Sequence, residues 1–150
     1  MAFGVRIVIN WIKNLTTYII FAAAATGFSF WIKSSVVLDI LIPNLIPIVI
    51  ALLAINVQTT AVVAVKLREL ADTHKISFDA SVDQFKLALF EQTGLVVMSG
   101  LLGAVAKSAG AMAKYDVLVA WGAFFVLTAA VHIFLDTSVG LLLALFPKSE

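Results

Sequence analysis

Charge in this chain is confined to short stretches, and long uncharged runs lie between them. Residues 14–32, 40–65 and 117–135 carry no Asp, Glu, Lys or Arg, and residues 92–106 form a further uncharged run. About 20 predominantly apolar residues span a bilayer's hydrocarbon core as a helix. The pattern therefore predicts four spans, at about residues 14–32, 40–65, 87–106 and 117–135. Between the second and third lies a charge-dense hairpin, residues 66–86. It sets Lys66, Arg68, Lys75 and Lys86 against Glu69, Asp72, Asp79 and Asp83.

The second run contains residues that lipid solvates poorly. Asn44, Pro47, Ala51, Ala54, Gln58, Ala61 and Val65 follow one another at alternating intervals of three and four. That is a heptad seam, and nearly all its members are small or polar. Leu45, Ile46, Ile48, Ile50, Leu52, Leu53 and Ile55 occupy the other faces, as lipid or bulky packing requires. Small residues let membrane helices approach closely, and amides bond across the gap. The seam is therefore expected to face protein or water. Asn56, Thr59 and Thr60 lie off it. The helical pattern continues from Asn44 to about Asp72, about 43 Å at 1.5 Å per residue, and so projects beyond the core.

Pro43 and Pro47 each lack a backbone N–H, which frees the carbonyls of Asp39 and Pro43 in a continuous helix. A ring of Asp39 carboxylates beside bare carbonyls is the chemistry of a cation mouth. The plainer alternative places Pro43 in the first turn of the span, where a missing N–H costs nothing.

Three other places bear on chemistry. Glu91 is the acid nearest the third span's apolar core. An intramembrane carboxylate is a functional candidate, and the alternative is an interfacial acid paired with Lys86 or Lys66. Ser81-Val82-Asp83-Gln84 reads as a capping box opening that helix, and Ser99 with Gly103 as a small-residue packing pair. Thr128, His132 and Asp136 share a face of the fourth helix. Stacked along one helix they do not converge on a substrate, so catalysis is not expected. His132 and Asp136 form a candidate pH-sensitive pair, or a polar pair closing the helix before Asp136-Thr137-Ser138, with residues 139–146 at the interface.

Residues 3–13 place Arg6, Asn10 and Lys13 on one helical face and Val5, Ile9, Trp11 and Ile12 on others, as an interfacial lead-in does. Arg6, Lys13, the following apolar run and Ala22–Ala25 also resemble a signal peptide. Apolarity continues past the alanines to Trp31, which favours a retained span. With the N-terminus inside, Arg6, Lys13, Lys66, Arg68, Lys75, Lys86 and Lys148 are cytoplasmic, and Lys33, Lys107 and Lys114 are outside. This excess of inside cations predicts that both termini are cytoplasmic. Trp11, Trp31, Tyr115 and Trp121 sit near run ends, where aromatic belts form.

Composition agrees with the pattern. The chain is 62% hydrophobic and 13% charged, with a mean hydropathy of +1.08, far from soluble averages. Its 150 residues leave room for one membrane domain. A net charge of +1 excludes a general nucleic-acid surface unless an oligomer clusters Lys66, Arg68 and Lys75. The absence of cysteine removes disulfides, thiolate metal sites and thiol catalysis. No pattern calls for a cofactor or a metal.

Together these features predict an all-α membrane protein, a homo-oligomeric bundle of four-span subunits with a tetramer among the options. The expected function is an ion channel or pore lined by Asn44, Pro47, Ala51, Ala54 and Gln58. Residues 66–86 are available to a cytoplasmic regulatory partner or ligand. A small proton-coupled transporter and a non-conducting scaffold subunit are the alternatives. Small multidrug transporters also have four spans and one membrane glutamate, but theirs lies in the first span, and residues 14–32 contain no acid. The LIPNLIPIVIALLAI helix, charged hairpin and glycine-bearing third span, over residues 36–106, resemble membrane subunits of prokaryotic antiphage systems of the Hailong or Kiwa type. That resemblance implies an inner-membrane oligomer that depolarises the cell in response to a cytoplasmic signal.

Overall fold

The computed structural model describes residues 2–33, 37–74, 78–108 and 112–145. It is all helical: α1 (Ala2–Trp31), a π-helical turn (Val37–Leu41), α2 (Ile42–His74), α3 (Asp79–Lys107) and α4 (Met112–Leu145). Among the described residues, three helical stretches are long and apolar enough to cross a membrane: Asp39–Thr73, Val82–Lys107 and Asp116–Gly140. The chain thus has the character of an integral membrane protein. In α1 the lead-in and first apolar run form one continuous helix of 30 residues. Its apolar run is interrupted by hydroxyls. Those of Thr16 and Thr17 donate to the carbonyls of Ile12 and Lys13, at 2.8 and 3.0 Å. The side chains of residues 2–11 and of Tyr115, and all of Lys75, Phe146, Pro147 and Lys148, lie outside the described residues.

The ends of the helices follow local chemistry. α1 stops where Lys33 turns to a φ of 51°, with the Ile32 and Lys33 amides donating to the carbonyls of Phe28 and Phe30. This left-handed residue closes the helix as a glycine usually does. α3 starts at Asp79, and the Val82 amide donates to the Phe78 carbonyl at 3.1 Å. Ser81 therefore lies inside the helix, and the expected capping box does not open it. α4 does not end near Asp136 as expected. It continues to Leu145, with the Thr137 hydroxyl folded back onto the Ile133 carbonyl at 2.7 Å and no proline before Pro147.

The fold has two compact units. The first comprises Met1–Ile46 and Ser99–Ala129. Here α1 buries Tyr18, Ala22, Thr26 and Ser29, and α4 buries Val119, Ala120, Ala123, Val126 and Ala129. The Tyr18 ring meets Phe125 edge-on at 6.0 Å, and Trp121 stacks on the same ring at 5.6 Å. Trp121 therefore packs within the protein, while Trp31 is 78% exposed. Glycine permits close approach at Gly122, where an added Cβ would come within 2.8 Å of Leu102 Cδ2. Ser99 is buried and Gly103 faces Ile46, in line with the expected packing pair.

The second unit comprises Pro47–Met98 and Ala130–Glu150. Val63, Leu67 and Phe85 form its apolar cluster, with Phe78 packed against them. Val49, Asn56, Gln92, Leu95, Ala130 and Thr137 are also buried.

In both units large apolar side chains lie outside. Ile19, Ile20, Phe21 and Phe28 are exposed on α1, and Ile48, Ile55, Val62 and Leu87 on α2 and α3. Many buried residues are small or hydroxylated. That distribution suits a hydrocarbon surround, where helix association depends on close backbone approach. At 33 residues, α2 extends about 50 Å, well beyond a core of about 30 Å. Its charged end carries the exposed Lys66–Glu69 pair, 2.7 Å apart.

Candidate functional site

α2 presents two unlike faces within the second unit. Val49, Asn56, Val63 and Leu67 are buried. At 3.6 residues per turn, Pro47, Ala51, Ala54, Gln58 and Ala61 lie about 180° round the helix from that stripe. All five are exposed. Ile48, Ile55 and Val62 on one flank, with Ile50 and Val57 on the other, are exposed apolar borders. The small and polar seam is therefore the face that this chain leaves uncovered. Placing it there puts the Gln58 amide on the outside of a helix long and apolar enough to span a membrane.

Asn44 and Asp39 belong to the first unit. Asp39 is exposed in the π-helical turn Val37–Leu41. Pro43 is in the first turn of α2, directly after the π turn, and Pro47 is inside the helix. The Asn44 side-chain amide donates to the Ile40 carbonyl at 2.7 Å. The bond ties the π turn to α2; the Ile40 carbonyl is not one of those that the prolines free, which are the carbonyls of Asp39 and Pro43.

The buried face holds a polar cluster that sequence reasoning missed. Asn56 Nδ2 donates to Gln92 Oε1 at 2.9 Å, joining α2 to α3. Asn56 is 1% and Gln92 0% exposed. Asn56 Oδ1, Gln92 Nε2 and the Thr60 hydroxyl, one turn along α2, are buried and without a hydrogen-bond partner. The signal was available in the sequence. Val49, Asn56 and Val63 are seven residues apart, as are Phe85 and Gln92, so each heptad row carries one amide among apolar neighbours.

The other candidates lie in the second unit but do not converge on the seam. Glu91 is half-buried on α3. The lysines considered as its partners bind carboxylates on their own helices, Lys66 to Glu69 at 2.7 Å and Lys86 to Asp83 at 3.1 Å. On α4 His132 is half-buried and Asp136 exposed. Asp136 lines a pocket of about 190 Å³ with Gln84, Phe85, Ala88, Thr137 and Gly140. Among the described residues no His, Asp and Glu side chains gather as a metal site.

Compared with protein-family models, with curated proteins and with solved structures, the chain matches none.

Proposed function

We propose that this chain assembles with copies of itself into an ion-conducting pore, with the exposed seam of α2 as the face between copies and along the conduit. Pro47, Ala51, Ala54 and Gln58 form it, and Asn44 joins them by its spacing in the sequence. The observation that carries the proposal is that this face is exposed directly opposite the buried stripe. Lipid gives an amide such as Gln58 no hydrogen bond, and leaving a polar group so placed costs free energy. A second copy or a water-filled path removes that cost, and the small residues let helices approach.

In this proposal α1 supplies a fourth span, both termini are cytoplasmic, and Asp39 rings the outer mouth. Residues 66–86 receive the gating signal. The setting is a prokaryotic inner membrane, and the consequence of opening is depolarisation, as in an antiphage effector. The test is single-channel recording from purified protein in planar bilayers. Unitary currents support the pore. Proton-coupled uptake without unitary currents identifies a transporter, and silence in both assays identifies a scaffold subunit.

A further inference from the structure

Most of the described threonines bond within their own helix. The hydroxyls of Thr16, Thr17, Thr59, Thr73, Thr93 and Thr137 donate to the carbonyl four residues earlier, at 2.7 to 3.0 Å. This is the usual resting place of a hydroxyl within a helix. Like that of Thr26 in the first unit, the Thr60 hydroxyl is buried and makes no such bond. It lies one turn from Asn56, on the side of α2 that meets α3. The amide pair there is incomplete as well. One bond of 2.9 Å joins Asn56 to Gln92, which leaves an acceptor, Asn56 Oδ1, and a donor, Gln92 Nε2, unused. Exchanging oxygen and nitrogen in both amides preserves the bond and still leaves one donor and one acceptor over.

We infer that Asn56, Thr60 and Gln92 form a binding site for a single water molecule between α2 and α3. The complement decides the ligand. A water donates to Asn56 Oδ1 and to the Thr60 oxygen and accepts from Gln92 Nε2. Those three bonds are the usual number for a buried water. A bare cation is disfavoured, because the cluster offers a donor N–H and no carboxylate of its own. Ordered water is also an established means of satisfying polar groups in membrane helices. The site lies on the buried face of α2, opposite the proposed conduit, and so stands or falls independently of conduction.

The experiment is magnetisation transfer from water to the side-chain amide protons of Asn56 and Gln92, read by NMR on the isotope-labelled full chain in lipid bilayers. Wild type should show transfer to the Gln92 amide. Thr60→Val should abolish it and Thr60→Ser should keep it. Thr59→Val, whose parent hydroxyl already bonds to Ile55, should leave it unchanged. Amide resonances without water transfer in the wild type would overturn the site, as would equal transfer in Thr60→Val. Resonances that move when potassium replaces sodium would overturn water in favour of a cation.

Discussion

The pair of Asn56 and Gln92 gives the sharpest test of how α2 is held against α3. Asn56→Leu keeps the branching and the number of heavy atoms and removes the donor. Gln92 is 0% exposed, so in this variant its carbonyl oxygen loses its 2.9 Å partner with no bulk water to replace it. Stranding a buried polar group costs about 1–3 kcal/mol, whereas removing both partners together is close to neutral. Hydrogen bonds between membrane helices couple more weakly, averaging about 0.6 kcal/mol and reaching about 1.7 kcal/mol. Asn56→Leu alone is therefore expected to destabilise by about 1–2 kcal/mol. Gln92→Met alone should do the same. The double variant should recover much of the loss, with a coupling energy of about 0.6–1.7 kcal/mol. The assay is a double-mutant cycle by reversible unfolding in mixed micelles, at one protein concentration because assembly contributes to apparent stability. Single effects that add to within about 0.5 kcal/mol would refute the contact.

Other substitutions probe separate elements. Gly122→Ala places a methyl 2.8 Å from a Leu102 methyl, a flexible group that can shift. The loss should be small, should grow for Gly122→Val, and should be relieved by Leu102→Ala, all read from unfolding midpoints. Ala22 is fully buried on α1, so Ala22→Leu should cost about 1–3 kcal/mol by overpacking, while Leu at the exposed neighbour Ala23 should cost little. In a conducting assembly, wild type should be weakly cation-selective and Asp39→Asn should lower that selectivity. An unchanged reversal potential in asymmetric KCl would remove Asp39 from the permeation path. Glu91→Gln should reduce conductance more than assembly, and unchanged currents would make it an ordinary interfacial acid.

The helices were legible from the uncharged runs, because length and apolarity alone decide what can cross a membrane. The reach of α2 toward Asp72 was also legible, since its periodicity continues past the last apolar turn. The end of α4 was not. Asp136-Thr137-Ser138 reads as a stop signal in water, but inside α4 the Thr137 hydroxyl turns back to the Ile133 carbonyl of its own helix and does not compete for a new chain direction. The buried amides are obscured for a different reason. The seam, where small and polar residues recur, dominates the pattern of α2. On the buried faces Asn56, Thr60 and Gln92 stand among the apolar Val49, Val63, Leu67 and Phe85. A periodicity that is mostly apolar conceals one amide. Which face of α2 is covered also depends on α3 and α4, and no window of the α2 sequence contains them.

The pore proposal is tested most directly on α2 itself. The chain has no cysteine, so single cysteines can be placed from residue 47 to residue 61 and treated with a water-borne, charged thiol reagent during current recording. A pore lined by the seam gives block at Ala51, Ala54 and Gln58 and none at Val49 or Ile55. Block that ignores this periodicity, or equal reactivity at Ile48, Ile55 and Val62, would contradict it.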